Sequence, residues 1–194
     1  SITIDTSTLT LENSGIISAS TFAKGNAGNI AIKATEGVNV GGGLFSGVFN
    51  TGVGNGGSIT IDTSTLTLEN SGIISADTFG KGDAGNIAIK ATEGVTVGGA
   101  LNSGVSNTAE GNGGSITIDT ANLTLEKVGI INASTFGKGN AGNIAIKASQ
   151  GVNVRGRLFS EVTATGEGNG GSITIDTSTL TLEKGGIISA DTSG

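Results

Sequence analysis

The chain has 194 residues, of which 36 are glycine, and it contains no proline, cysteine, methionine, histidine, tryptophan or tyrosine. Its net charge of −6 comes from interspersed acids and bases, which argues against nucleic acid and anionic membrane partners, because both attract basic stripes. No apolar run reaches the length of a membrane-spanning helix, so we expect no membrane insertion, and the absence of cysteine excludes disulfides.

The first predicted strand, SITID at 1–5, returns at three later positions with one constant spacing. A weaker copy, NIAIK, begins at Asn29 and divides each period into two nearly equal halves. Fixed repetition of this kind predicts a solenoid in which each half period, about 28–29 residues, is one coil, with about seven coils in all. The chain is therefore predicted to be one array, with repeats 1–57, 58–114, 115–171 and a partial repeat 172–194. The strand copies start at Ser1, Asn29, Ser58, Asn86, Ser115, Asn143 and Ser172.

Each coil is predicted to contain three short strands separated by glycine-rich corners. In the first coil they span 1–5, 9–12 and about 15–21, and in the second 29–33, 38–40 and about 44–49. Apolar residues alternate with polar ones, which places Ile2 and Ile4 inside and Thr3 outside. The pattern predicts an all-β parallel solenoid, with no helical periodicity anywhere in the chain.

One outward column ends the first strand of every coil with alternating charge. If the coil is one half period, opposite charges stack about 4.8 Å apart, whereas a coil of one full period would stack like charges. Each exposed pair contributes only about 0–1 kcal/mol, so we expect this charge column to act mainly on register. A merely solvated face is the alternative. The charge column is Asp5, Lys33, Asp62, Lys90, Asp119, Lys147 and Asp176.

A second column lies in the motif G-N/D-A/G-G at a predicted corner. Asparagine side chains can hydrogen-bond along a stack, and asparagine also suits the left-handed backbone of a tight corner. Asp83 argues against a donating ladder, because a carboxylate cannot donate. The sequence leaves open whether the column is buried. This asparagine column is Asn26, Asn55, Asp83, Asn112, Asn140 and Asn169.

The stretch 43–54 varies more between repeats than the strand SITID does. Leu44 and Val48, which keep their residue type in every copy, are predicted to point inward. The positions that change chemistry are predicted to point outward, where phenylalanine beside isoleucine would form an apolar contact surface. Drift on an unconstrained face is the alternative. These positions are Phe45, Phe49, Asn102, Ser106, Phe159 and Thr163.

An enzyme site needs clustered acids, bases or cations in a cleft, and here the strand carboxylates recur with the period, as structural residues do. We expect no catalytic activity and no cofactor. Arg155 and Arg157 occur once and are interpreted as repeat drift, and an isolated Asp83 at the corner predicts no calcium site. An ice-binding solenoid would need a full rank of threonine, but alanine alternates with Thr3 and its copies, so this function stays a minor alternative, as does a polysaccharide-active enzyme.

The strings ISASTFAKGNAGNIAIKA from Ile17 and LFSGVFNTGVGNGGSITI from Leu44 resemble the repeats of filamentous-haemagglutinin-like exoproteins, most closely large cyanobacterial members of the two-partner-secretion group. The resemblance covers the whole chain. It implies a right-handed parallel β-helix, secretion, and a role at the cell surface or in an extracellular fibre.

From this resemblance and the repeats we expect a structural fibre or stalk segment that self-associates end to end or laterally. An adhesin module that binds a host, cell-surface or matrix ligand through the variable face is the alternative. Three full periods followed by a partial fourth also lead us to expect an excerpt from a longer polypeptide.

Overall fold

A computed structural model of the chain describes residues 1–49, 52–163 and 166–192. Throughout these ranges the regular elements are β-strands, and no helix is long and apolar enough to cross a membrane. The strands are β1 (Ile2–Leu11), β2 (Ile16–Ser18), β3 (Ile30–Val40), β4 (Gly43–Phe45), β5 (Ile59–Leu68), β6 (Ile73–Ser75), β7 (Ile87–Val97), β8 (Ala100–Asn102), β9 (Ser115–Leu125), β10 (Ile130–Asn132), β11 (Asn143–Val154), β12 (Arg157–Phe159), β13 (Ser172–Thr177), β14 (Leu180–Leu182) and β15 (Ile187–Ser189).

The strands form two parallel sheets that run the length of the molecule. The first sheet has the order β1-β3-β5-β7-β9-β11-β13, with β14 also paired to β11. The second has the order β15-β12-β10-β8-β6-β4-β2. Alternation of the chain between the two sheets makes the fold a parallel β-solenoid of about six turns. Ile2 pairs with Ile30 and Ile30 with Ile59, so one turn of the solenoid, which is one coil of the sequence analysis, takes one half period of the repeat, as the sequence predicts.

The first two predicted strands of each coil are joined in most turns into one long strand. Thr6 of β1 pairs with Ala34 of β3, and Thr8 pairs with Gly37. One residue of β1 therefore lies opposite two residues of β3, Thr35 and Glu36, which is a β-bulge. A bulge of this kind interrupts the ladder only locally, so strand pairing continues on both sides of it. The prediction of two separate strands, at 1–5 and 9–12, was therefore wrong for this stretch. Among the described residues, only the last turn has a divided strand, as β13 and β14.

The third predicted strand is shorter than expected. The stretch 15–21 forms only β2, and the turn continues as single parallel bridges, such as that from Thr21 to Val48. Backbone hydrogen bonds still cross this part, with the Ala19 N–H donating to the Phe45 carbonyl at 2.8 Å. The chain bends after the short strand, so pairing continues without a regular ladder.

The inward residues make one core along the solenoid axis. Ile30, Ile61 and Leu66 are at most 1% exposed, and Leu44 and Val48 are fully buried, which confirms the predicted inward positions. The corner before each long strand is held by close backbone stacking. A Cβ at Gly114 would collide with the Gly85 carbonyl and the Ser103 hydroxyl, so only glycine fits there.

Candidate functional site

The charge column stacks in the predicted register. Asp5 pairs with Lys33, Lys33 with Asp62, and the same alternation continues to Asp176. However, the ion pairs found in the described part of the chain lie elsewhere, so these side chains are aligned on neighbouring strands without close contact. Any effect of the charge column on register therefore acts through longer-range attraction, which salt screens.

The close ion pairs form on a different corner and around one arginine. Lys81 Nζ lies 3.0 Å from Glu110 Oε2, and this hydrogen bond holds the pKa of the Glu110 carboxyl below its usual value. Arg155 lies between two acids, with its guanidinium 3.2 Å from Glu126 Oε2 and 3.1 Å from Glu183 Oε1. The second corner pair is Lys138 with Glu167, at 3.4 Å. These pairs bind one turn to the next.

The asparagine column forms a continuous ladder on the surface. The Asn55 backbone N–H donates to Asn26 Oδ1 at 2.9 Å, and the Asp83 N–H donates to Asn55 Oδ1 at 3.0 Å. Asp83 continues the ladder because its carboxylate only has to accept, here from the Asn112 N–H at 2.7 Å. The last steps are the N–H of Asn140 to Asn112 Oδ1 and of Asn169 to Asn140 Oδ1.

The corner geometry of this column differs from the expectation. Its members are exposed, so the column is not buried, a point that the sequence left open. The left-handed backbone of the corner belongs to the preceding glycine, with φ of 130° at Gly25 and 129° at Gly82, while Asn26 and Asp83 keep negative φ. Glycine adopts positive φ without strain, which leaves the asparagine side chain free to accept from the next turn.

A second set of side-chain hydrogen bonds at this corner, which joins the turns in pairs, was not predicted from the sequence. Asn29 Oδ1 accepts the Ser58 N–H at 2.9 Å, Asn86 accepts that of Ser115, and Asn143 accepts that of Ser172. The signal was present, because asparagine and serine alternate at the start of every long strand. The asparagine column therefore links every turn to the next at this corner, and the asparagine–serine bonds add a second link at every other step.

A shallow groove of about 760 Å³ runs along the outer face of the first sheet. The charge column forms one side. The other side is a column of small residues: Thr3, Ala31, Thr60, Ala88, Thr117, Ala145 and Thr174. Alanine at every second position interrupts the threonine rank, as the sequence predicts.

Phenylalanine rings stack on the outer surface of the stretch that follows the short second-sheet strand in each turn. The Phe22 and Phe49 ring centroids are 5.4 Å apart, and those of Phe49 and Phe79 are 5.2 Å apart, with nearly parallel planes. Phe45 adds an edge-on contact with Phe49 at 6.2 Å. After each short strand, one residue forms an isolated β-bridge to the equivalent residue of the next turn, beginning with Thr21 and Val48. The residues that directly follow these bridged positions lie in one line, which we call the aromatic column: Phe22, Phe49, Phe79, Ser106, Phe136 and Thr163.

This stack is part of a larger apolar patch. Phe22 is 64% exposed and Ile16 is 66% exposed, while the Phe45 ring packs over Gly43, between Ile16 and Ile73 in the second sheet. Phe45 and Phe49 lie on the outer face beside isoleucine, where the sequence analysis expected a contact surface. Phe22 and Phe79 were missed, because they lie in a stretch that hardly varies between repeats.

The remaining variable positions lie farther along the same side. Phe159 is partly buried in the second sheet, paired with Asn132 and Ser189, and Thr163 is partly buried at the far end of the aromatic column. Asn102 and Ser106 line a cavity of about 200 Å³.

The cavity has an acidic wall. The Asp77 carboxylate accepts the Gly104 N–H at Oδ1 (2.7 Å) and the Ser75 hydroxyl at Oδ2 (2.8 Å). Burial raises the pKa of the Asp77 carboxyl to about 6, although both hydrogen bonds act to lower it. Asp77 was not singled out from the sequence, because its burial depends on neighbouring turns.

No protein-family model, curated protein or solved structure matches the chain.

Proposed function

We propose that the chain is a structural segment of an extracellular fibre or stalk in a large secreted bacterial surface protein. The supporting observation is the unbroken pairing of both sheets along the solenoid, reinforced at one corner by the ladder of the asparagine column and by asparagine–serine bonds between pairs of turns. Each turn contacts mainly its two neighbours, so such an array can be extended without changing its core. No catalytic role is assigned to it.

The finer architecture in this proposal is a right-handed β-helix of about seven coils. Its support is the resemblance to filamentous-haemagglutinin-like repeats together with the half-period step between paired strands. At strand spacing, about seven coils give a rod roughly 30 Å long. Electron microscopy of the native fibre at side-chain resolution tests the handedness and coil count directly.

Localisation tests the fibre proposal. Antibodies raised against the purified chain should label intact cells of the source organism, and protease treatment of intact cells should remove the labelled antigen. An antibody against a cytoplasmic protein is the control for cell integrity. Labelling that appears only after the cells are permeabilised would contradict the proposal.

The exposed apolar patch favours an associated function, contact with another surface. The exposed Phe22 and Phe79 rings both stack on Phe49, so these apolar side chains are contiguous rather than scattered singly over the surface. We propose lateral association of solenoids through this patch, with an adhesive role toward another cell or matrix ligand as the second candidate.

Sedimentation of the purified chain distinguishes these roles. Replacing Phe22 and Phe79 with serine should shift an associated species to monomer while the melting temperature stays close to that of the parent. The matched control is Val128→Ser, which removes an exposed apolar residue elsewhere, 58% exposed. A parent chain that is monomeric at high concentration would contradict lateral association and leave the ligand-binding candidate.

A further inference from the structure

The aromatic column is interrupted at one position in its middle. Ser106 stands between Phe79 and Phe136, in the place that Phe49 holds one repeat earlier. In the same coil Asn102 occupies the place that Phe45 and Phe159 hold in the other repeats. Both bulky rings of this coil are thus replaced by small polar side chains, and the cavity of about 200 Å³ lies where the rings would be. We call this cavity the slot.

The slot has the dimensions of one aromatic ring. Phe79 and Phe136 lie two turns apart, about 10 Å at strand spacing. A ring inserted midway would lie about 5 Å from each, which is within the 4.5–7 Å range of favourable aromatic pairs and close to the steps of 5.4 and 5.2 Å within the stack. A cavity of about 150 Å³ already accommodates benzene, so the slot has room for a ring with a short substituent.

The wall chemistry selects the substituent. Each carboxylate oxygen of Asp77 accepts one hydrogen bond from the protein and retains capacity for another. Among the described residues that line the slot, Asp77 alone has a titratable side chain, and the other polar groups are the amides of Asn102, Asn107 and Asn132 and the hydroxyl of Ser106. A partly buried carboxylate without a cationic neighbour in its wall favours a cationic donor from a ligand.

We propose that the slot binds a small aromatic ammonium compound, whose ring completes the aromatic column between Phe79 and Phe136 and whose ammonium group donates to Asp77. Binding needs only one turn and its two neighbours. The inference therefore goes beyond the fibre proposal, and its failure would leave that proposal intact.

The first experiment titrates the purified chain with benzylammonium chloride and follows backbone amide shifts by NMR. We expect saturable shifts centred on residues 102–107. Ser106→Phe should abolish them, because the chain would then supply the missing ring itself, as Phe49 does in the first repeat. Thr163→Phe, at another non-aromatic position of the same column, is the matched control and should bind like the parent.

The second experiment separates the ring from the charge. Asp77→Asn keeps the shape of the side chain and removes its charge, and it should weaken benzylammonium binding at least about tenfold. Toluene, which has the ring alone, should bind the parent and this variant equally. Melting curves verify that each variant is folded.

Acidification provides an independent measurement on the unmodified chain. Lowering the pH from about 7 to about 5 protonates Asp77, whose pKa is about 6, and should weaken benzylammonium binding about tenfold while toluene binding stays constant. The proposal is overturned if benzylammonium shows no saturable shifts at the slot, if folded Ser106→Phe binds as tightly as the parent, or if folded Asp77→Asn retains full affinity for the cation.

Discussion

A buried carboxylate on the inner face of the first sheet should open the solenoid locally. Ile61 is 1% exposed and is stacked between Ile32 and Ile89, which are 2% and 3% exposed. The change Ile61→Asp removes an isoleucine that contributes about 1.5–3 kcal/mol by its burial. It also buries an acid, and full burial raises a carboxyl pKa by about 3–5 units. At pH 7 this costs about 4 kcal/mol, because an acid whose folded pKa reaches or exceeds 7 is protonated rather than buried as a charge.

Together these effects approach the whole stability of an ordinary domain, about 5–15 kcal/mol. Because each turn depends mainly on its neighbours, the loss should concentrate around the substituted strand. Hydrogen exchange followed by mass spectrometry should show reduced amide protection in β3, β5 and β7, with β11 close to the parent.

The matched control is Thr60→Asp, which adds the same charge one residue earlier on the exposed outer face. It should change stability by no more than about 0.5 kcal/mol. Lowering the pH below about 4 should partly rescue Ile61→Asp, because an acid with a raised folded pKa destabilises the fold only where the unfolded chain can ionise. Equal protection in the two variants would refute the inward assignment of Ile61.

Three further predictions concern other parts of the solenoid. Gly114→Ala should lower the melting temperature, because its Cβ would collide with the Gly85 carbonyl. The control Gly94→Ala, whose Cβ would have its nearest contact at 3.7 Å, should melt like the parent. Equal melting temperatures of the two variants would contradict the close backbone stacking at the corner. Lys90→Asp should cost up to about 1 kcal/mol at low ionic strength and less at about 1 M salt, and a salt-independent melting curve would mean that the charge column has no electrostatic role. The raised pKa of Asp77, about 6, predicts that stability falls by about 2 kcal/mol as the pH rises from about 4 to about 6, and chemical denaturation of Asp77→Asn should lack this slope.

The repeat pattern alone was sufficient to predict which residues are stacked on one another. Parallel strands place equivalent positions side by side, so a step of one half period already aligns Asp5 with Lys33 and Ile2 with Ile30. The inward positions were equally predictable, because alternation along a strand is a local property of the backbone. For these reasons the solenoid class and most of the core followed from the sequence.

Side-chain roles at the corners depended on geometry that the repeat does not encode. The sequence could not show that Gly25 adopts the left-handed backbone while Asn26 accepts from the next turn. Nor could it show that Thr35 and Glu36 form a bulge that joins two predicted strands. Both depend on how hydrogen bonds to the turns above and below are satisfied together.

The candidate binding features were decided by contacts across turns. Phe22, Phe49 and Phe79 lie on three different turns, far apart in sequence, yet their rings stack because the corners bring the residues after successive bridges to one line. Asp77 is an ordinary aspartate in the sequence, and its pKa rises only because neighbouring turns bury it beside the gap at Ser106. Periodicity determines which residues align, whereas ring stacking, burial and cavity shape depend on side-chain packing in three dimensions.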